Sequence, residues 1–564
     1  MTSAVPVAVR EGEEPQKPLT MFGPDFPFPY DDYLAHPAGL GSVPEAEYGA
    51  EVAVIGGGLS GIVTAYELMR MGLKPVVYEA DQIGGRLRSV GFEGHPGVVA
   101  EMGAMRFPPS STGFFHYVDA LGLSTTRFPN PLDPATPSTV IDLKGVTHYA
   151  RTLDELPDVY REVADAWHDT LVAQARSDEM QAAMRRRDVP AIKAIWDELV
   201  ERLDNQTFYG FLCDSPAFAS FRRREIFGQV GFGTGGWDTD FPNSILEILR
   251  VVYTGADDDH RSIVGGCQQV PELLWSASPS GMPHWPEGTS LASLHRDGRP
   301  RPAVTHLRRT APNNITVTDA SGEIRTYPAA VFTAQSWMLL SRIECDETLF
   351  PSDHWTAIER THYMGSSKLF LLVDRPFWLD KDPVTGRDTM SMTLTDRMTR
   401  GTYLLDNGPD RPGVICLSYT WSDDSLKWVP LSTEERLEVM LKSLSQIYPG
   451  VDIRRHVIAT PVTVSWETEP DFMGAFKANL PGHYRYQERL YTHFVQDALP
   501  EVYRGLFLAG DDISWTAGWA EGAVQTAINA VWGVMHHFGG STDPANPGPG
   551  DRFDELAPLR FPDE

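Results

Sequence analysis

The spacing of apolar and polar residues changes several times along the chain, and each change marks an element. The run Glu51-Val-Ala-Val-Ile55 is apolar without alternation, as a strand covered on both faces requires. A glycine cluster follows, then apolar positions at helical spacing from residue 62 to 71, then a second apolar run, Pro75-Val-Val-Tyr78. Strand, helix and strand in this order predict a β-α-β unit. Between about 150 and 235 strand signals thin out, and residues 156–176 and 189–203 carry helical spacing with charges on the opposite face, which reads as a helical insertion. Short alternating runs return at Ile315-Thr-Val-Thr318 and Ala330-Val-Phe-Thr333, separated by turn residues. Residues 367–373 and 413–419 read as further strands and 433–447 as an amphipathic helix. Residues 1–46 are rich in Pro, Gly and acidic groups and lack a period. They predict an irregular arm over the surface, and the turn-rich residues 542–564 predict an irregular tail.

At 564 residues the chain exceeds one compact core, so roughly two or three packed units are expected. The balance of 48 Lys and Arg against 76 Asp and Glu gives a formal charge of -28, which repels phosphate backbones and anionic lipid surfaces and argues against a nucleic-acid or membrane partner. The same field attracts cationic small molecules, although plain solubility also accounts for it. The 4 cysteines, Cys213, Cys267, Cys345 and Cys416, are far apart and form no CxxC pair, so reduced thiols are expected. The opening segment has no basic start followed by an apolar core, and no stretch reaches the roughly 18 apolar residues of a membrane span. A cytoplasmic location is the expectation.

The glycine cluster Gly56-Gly-Gly58-Leu-Ser-Gly61 fits GxGxxG. In that pattern the first Gly makes a tight turn, the second lets a pyrophosphate approach the backbone, and the third permits close packing of the helix, whose N-terminus faces the phosphates. A glycine-rich turn without a ligand is the plainer alternative. The flanking strand, the helix, the second strand and Glu79, 18 residues beyond Gly61, supply the context that a dinucleotide site needs. An acidic Glu79 suits a ribose hydroxyl rather than a 2'-phosphate, which leaves NAD and FAD open.

Three further motifs separate the two. Gly84-Gly-Arg-Leu-Arg88, Leu508-Ala-Gly-Asp-Asp512 and Gly518-Trp-Ala-Glu-Gly-Ala-Val-Gln-Thr526, taken with the first, resemble the flavin-dependent amine oxidases. The resemblance implies FAD, with Gly85 and Arg86 along the pyrophosphate, Gly510 and Asp511 at the ribityl chain, and the helix after Trp519 and Ala520 aimed at the flavin pyrimidine. It also places Leu59, Ser60, Ala80, Met105, Arg106 and Trp466 at the cofactor. Over about residues 20–560 the chain is most similar to the bacterial L-amino-acid 2-monooxygenases, those acting on lysine in particular, with the tryptophan and phenylalanine enzymes more distant. Phe22-Gly-Pro-Asp-Phe-Pro-Phe28, Gly228-Gln-Val-Gly-Phe-Gly-Thr-Gly-Gly-Trp237, Phe241-Pro-Asn-Ser244 and Pro481-Gly-His-Tyr-Arg-Tyr486 carry this closer likeness. Ser514-Trp-Thr-Ala-Gly518 lacks the cysteine through which several amine oxidases attach flavin, so non-covalent FAD is expected.

The fold implied is α/β: a Rossmann-like FAD-binding domain from residues 47–113, 262–345 and 498–541, and a mixed-sheet substrate domain from 114–150, 240–261 and 346–497. A helical domain spans 151–239. Homodimerisation is implied by the resemblance alone.

A free amino acid presents a carboxylate, an amine and a side chain, so its pocket needs a cationic fork, an apolar floor and a selectivity element. Arg106 in Glu101-Met-Gly-Ala-Met-Arg106 is the expected fork, since guanidinium pairs with carboxylate bidentately; a surface arginine is the alternative. By resemblance Tyr419 is a second carboxylate contact, and Lys368 holds a water against the reactive flavin nitrogen. Trp466, Phe476 and Trp519 resemble the aromatic walls above the ring, although core packing accounts for them equally. Asp240, with Asp238 as its rival, is the candidate partner for a basic side chain, helix capping being the bland alternative. The activity implied is oxidation of the α-amine by flavin, reoxidised by oxygen. If the imino acid stays bound, L-lysine or L-arginine yields the shorter amide, carbon dioxide and water; if it leaves, keto acid, ammonia and peroxide result. A non-catalytic flavoprotein scaffold is a third alternative. A disulfide reductase would need paired cysteines that the chain lacks.

Overall fold

The computed structural model describes residues 19–230, 242–408 and 410–562. Four parallel strands form one sheet in the order Lys74–Tyr78, Glu51–Ile55, Ala329–Phe332 and Leu506–Leu508. Val52, Ala53 and Val54 are fully buried, as expected for a central parallel strand covered on both faces. Helix Leu59–Arg70 crosses back from the first strand to the second. Helix Ala520–His537 packs on it and is itself buried from Glu521 through Met535, which explains why its sequence is apolar on nearly every side. A second four-stranded sheet, with order Ile324–Tyr327, Asn314–Asp319, Val304–Ala311 and Glu344–Cys345, adjoins the first.

The largest sheet has seven strands, in the order Val462–Ser465, Ser366–Val373, Gly413–Trp421, Gly401–Leu405, Met392–Thr395, Thr139–Leu143 and Val146–Ala150. All its pairings are antiparallel except that of Met392–Thr395 with Thr139–Leu143. Strand Ser366–Val373 shows how period-two alternation divides its labour. Leu369, Leu371 and Val373 join Leu437, Met440 and Leu444 of helix Thr433–Ile447 in one apolar cluster, whereas Phe370 and Leu372 belong to the main core on the other side. Lys368 has the parity of that second set and lies opposite Tyr419 in register. Helices Asp158–Ala175, Ser177–Arg186, Val189–Leu203, Phe208–Cys213, Phe221–Val230 and Ile245–Tyr253 make up the helical part, joined by contacts such as Trp196 edge-on to Tyr253 at 6.0 Å.

Two expectations need correction. The described part of the leading arm does not lie on the surface: Phe22, Phe26, Phe28, Tyr30 and Tyr33 are buried, and Tyr30–Ala35 is helical. Asp25 is fully buried, paired with Arg250 at 2.7 Å and accepting from Trp196 Nε1 at 2.8 Å. The arm lacks a period because each aromatic ring fills a separate gap; Phe26 alone meets Tyr491, Phe494 and Phe553. The tail is likewise fastened. Ser541 bridges to Ser42, Asn546 Nδ2 donates to the carbonyls of Tyr33 and Gly39, and Leu556 is buried on a short helix, Phe553–Leu556.

Candidate active site

One cleft of ≈ 460 Å³ extends from the first glycine turn to the inner face of the seven-stranded sheet. Its nucleotide end is built by the β-α-β unit. Gly56 turns the chain at φ +117°, a conformation that favours glycine. Gly56, Gly58, Leu59 and Ser60 border the cleft beside Glu79, Ala80, Gly85 and Arg86. Gly61, also expected at the cofactor, is not among the residues that border it. A Cβ there would stand 1.9 Å from the Gly56 carbonyl oxygen, so the residue serves close approach of helix and strand. Glu79 accepts the Gly57 N–H at 2.6 Å and the Asp81 N–H at 2.9 Å, while burial raises its carboxyl above the usual range. Ser60 Oγ, at the N-terminus of helix Leu59–Arg70, is buried without a hydrogen-bond partner among the described residues. An orphaned hydroxyl at a helix N-terminus on a cleft is the kind of group that a phosphate satisfies.

The opposite rim comes from the C-terminal motif. Asp511 pairs with Arg86 at 3.2 Å and accepts the Gly518 N–H at 2.7 Å, which folds the Gly518 loop against the strand end. Gly510, Trp519 and Ala520 border the cleft where helix Ala520–His537 begins. This arrangement of glycine turns, an acid just past the second strand and two helix N-termini fits FAD. None of the 4 cysteines borders the cleft.

Beyond the nucleotide end the lining includes Met105, Arg106, Lys368, Tyr419, Trp466, Phe476 and Trp519, so every described residue expected at the substrate is at one cavity. Asp238 and Asp240 lie outside the described residues. Arg106 is only 8% exposed and is not a surface arginine. Its Nη1 donates to Asn130 Oδ1 at 3.0 Å and to Tyr403 Oη at 3.4 Å. Asn130 in turn meets His260 at 2.7 Å, and His260 lies against the Trp519 ring at 5.5 Å. Burial drives His260 down to about 3, so the ring is neutral and adds no charge beside the guanidinium. Asn130, His260 and Tyr403 went unnoticed in the sequence because each acts by holding Arg106 or Trp519 across long sequence separations.

Lys368 Nζ donates to the Glu101 carbonyl at 3.1 Å and to that of Gly103, and stands 4.7 Å from the Tyr419 ring centroid. An ammonium has three donors, so one remains for the cleft. Burial lowers its pKa to about 8. With the folded value below the ordinary 10.5, the unfolded chain binds more protons between these two pH values, and Lys368 contributes rising stability as pH climbs from about 8 towards 10.5. Wild-type protein is therefore expected to gain stability relative to Lys368→Met across that window. Urea midpoints at pH 7.5 and 10 test this, and a constant difference would contradict it.

The walls are mutually supported. Trp466 Nε1 donates to the Met102 carbonyl at 3.0 Å and its ring meets Phe472 edge-on at 5.0 Å. Phe476 meets Trp421 edge-on at 5.7 Å, and Trp421 meets Tyr419 at 5.3 Å. Trp421 borders the cleft and was missed in the sequence, although it stands two positions past Tyr419 on the same face of its strand. Asp257 also borders the cleft and was missed; the only signal was an acidic run, Asp257-Asp258-Asp259, after helix Ile245–Tyr253.

A glycine-turned dinucleotide cradle opening onto a buried arginine and aromatic walls is the arrangement of a flavin-dependent oxidoreductase. The chain belongs to the flavin containing amine oxidoreductase family, whose model matches residues 59–535. It is an enzyme with FAD as its cofactor. Among relatives, the tryptophan 2-monooxygenase of Pantoea agglomerans pv. gypsophilae is 32% identical over 547 residues, covering 89% of this chain and 92% of its own. That of Pseudomonas savastanoi is 33% identical, covering 90% and 93%. An L-amino-acid oxidase of Mus musculus is 25% identical, covering 88% and 72%. Putrescine oxidase bound to putrescine shares the fold at TM-score 0.63 and 19% identity, covering 86% of this chain and 99% of its own. Cyclohexylamine oxidase of Brevibacterium oxydans IH-35A does so at 0.61 and 18%, with the same coverage. The tryptophan enzymes, expected as more distant relatives, thus match along most of the chain. No helix among the described residues is long and apolar enough to cross a membrane.

Proposed function

We propose that the protein converts a basic L-amino acid, L-lysine or L-arginine, with oxygen to the amide one carbon shorter, carbon dioxide and water. The observation that carries this reading is a buried, already oriented guanidinium at Arg106 in the same cleft as the nucleotide cradle. Bound there, FAD supplies the two-electron acceptor for the α C–H bond. Arg106 pairs with the substrate carboxylate, and Asn130 and Tyr403 hold the fork so that little ordering remains to be done on binding. The Tyr419 phenol donates to the same carboxylate. Trp466, Phe476 and Trp519 confine the α-carbon and exclude water, which keeps an imino acid from hydrolysing. Lys368 offers its remaining N–H to a water at the cofactor.

The basic side chain is supported by the net charge of -28 and by carboxylates on the cleft lining, Glu247 and Asp257 among them. The named relatives include both 2-monooxygenases and an L-amino-acid oxidase, so release of the imino acid, giving keto acid, ammonia and peroxide, is the second reading. Anaerobic mixing with single amino acids tests the first part: lysine or arginine is expected to bleach the bound flavin. Mass spectrometry of aerobic products tests the second, with amide expected in excess over keto acid. No bleaching by any of the twenty amino acids would end the proposal.

A further inference from the structure

The carboxylates at the substrate end of the cleft are not equivalent. Glu247, on helix Ile245–Tyr253, is already partnered: it accepts from Arg250 at 2.6 Å and from Asn479 Nδ2 at 3.2 Å. Asp257, in the turn that follows the same helix, has no hydrogen bond or ion pair with the described residues, although it borders the cleft. The cations that share the lining are committed elsewhere. Lys477 Nζ donates to Gln487 Oε1 at 2.8 Å and to the Ser514 carbonyl at 3.0 Å, Arg86 pairs with Asp511, and Lys368 holds backbone carbonyls. Arg106 and Asp257 feel each other's charge but do not close an ion pair. They therefore stand as separated opposite charges bordering one cleft.

A carboxylate drawn out of water with no ion pair among the described residues carries a desolvation cost, and burial pushes Asp257 up to about 7. A ligand cation would remove that cost, and a ligand carrying an anion at one end and a cation at the other would match both Arg106 and Asp257. Resting on the reading of the cleft as an amino-acid site, we propose that Asp257 is the specificity-determining residue that receives the distal ammonium or guanidinium of the substrate. The α-carboxylate meets Arg106, the apolar stem lies along Ile248 and Val251, and the terminal cation ends at Asp257.

The test compares lysine with norleucine, which has the same stem without the terminal amine, in the FAD-loaded full-length enzyme. In Asp257→Asn the lysine-to-norleucine ratio of kcat/KM is expected to fall by about 30-fold or more, the consequence of leaving a buried cation unpaired. An unchanged ratio, with wild type preferring lysine, overturns the role of Asp257 and leaves the basic-substrate reading intact. A wild type with no preference for lysine overturns both. Asp257→Glu gives an independent readout should the Asn variant lose its flavin. Advancing the carboxylate by one methylene is expected to raise the ornithine-to-lysine ratio several-fold, on the order of the discrimination a single methylene provides. A ratio equal to that of wild type overturns the proposal.

Discussion

Arg106→Ala is expected to lower kcat/KM for every amino-acid substrate by about 2 to 5 kcal/mol, the range for removing one partner of a buried charge pair. The side chain is 8% exposed, and its orientation is fixed by Asn130 and Tyr403 rather than by any substrate. Truncation therefore deletes a fork that was in place before binding. On the proposed reading the carboxylate is gripped both before and during oxidation, so the loss should fall mainly on KM, with flavin content unchanged. Steady-state kinetics with an absorbance count of bound flavin decide the matter. Wild-type kcat/KM in a fully flavinated variant would exclude Arg106 from the site.

Gly61→Ala is expected to yield protein with little bound flavin. A Cβ at that position meets the Gly56 carbonyl oxygen at 1.9 Å and Thr333 Oγ1 at 2.7 Å. The first is backbone and cannot swing away, so the helix start must move off the strand, taking its first N–H groups and Ser60 with it. Gly91→Ala is the control, because nothing lies within 4 Å of a Cβ there. The ratio of visible to ultraviolet absorbance after purification measures the effect, and normal flavin content in Gly61→Ala would show that the turn tolerates displacement.

Local order was well marked in the sequence wherever a period is enforced by burial. Strand Glu51–Ile55 is an unbroken apolar run buried on both faces, and helices Val189–Leu203 and Thr433–Ile447 each bury a face regular enough to be read from spacing. The glycine turns were legible for another reason: close backbone approach admits only one residue type. Arg106, Lys368 and Tyr419 were reached through motif resemblance, since nothing local distinguishes a lysine in an apolar strand from a packing accident. The supporting groups were not legible at all. Tyr403 is 297 residues from the arginine it touches, and Asn130 meets a histidine 130 residues away. The aromatic residues of the leading arm failed differently: they are inserted one at a time into gaps left by remote segments, and such insertion leaves no period.

The pairing of Asp25 with Arg250 has a consequence for any attempt to alter selectivity. Arg250 sits on the helix that also brings Glu247, Ile248 and Val251 to the cleft, so Asp25 of the leading arm anchors one side of the cleft from behind. Changes near the beginning of the polypeptide thereby become remote levers on which amino acid is accepted. Mutant libraries confined to positions that touch the ligand would pass them by.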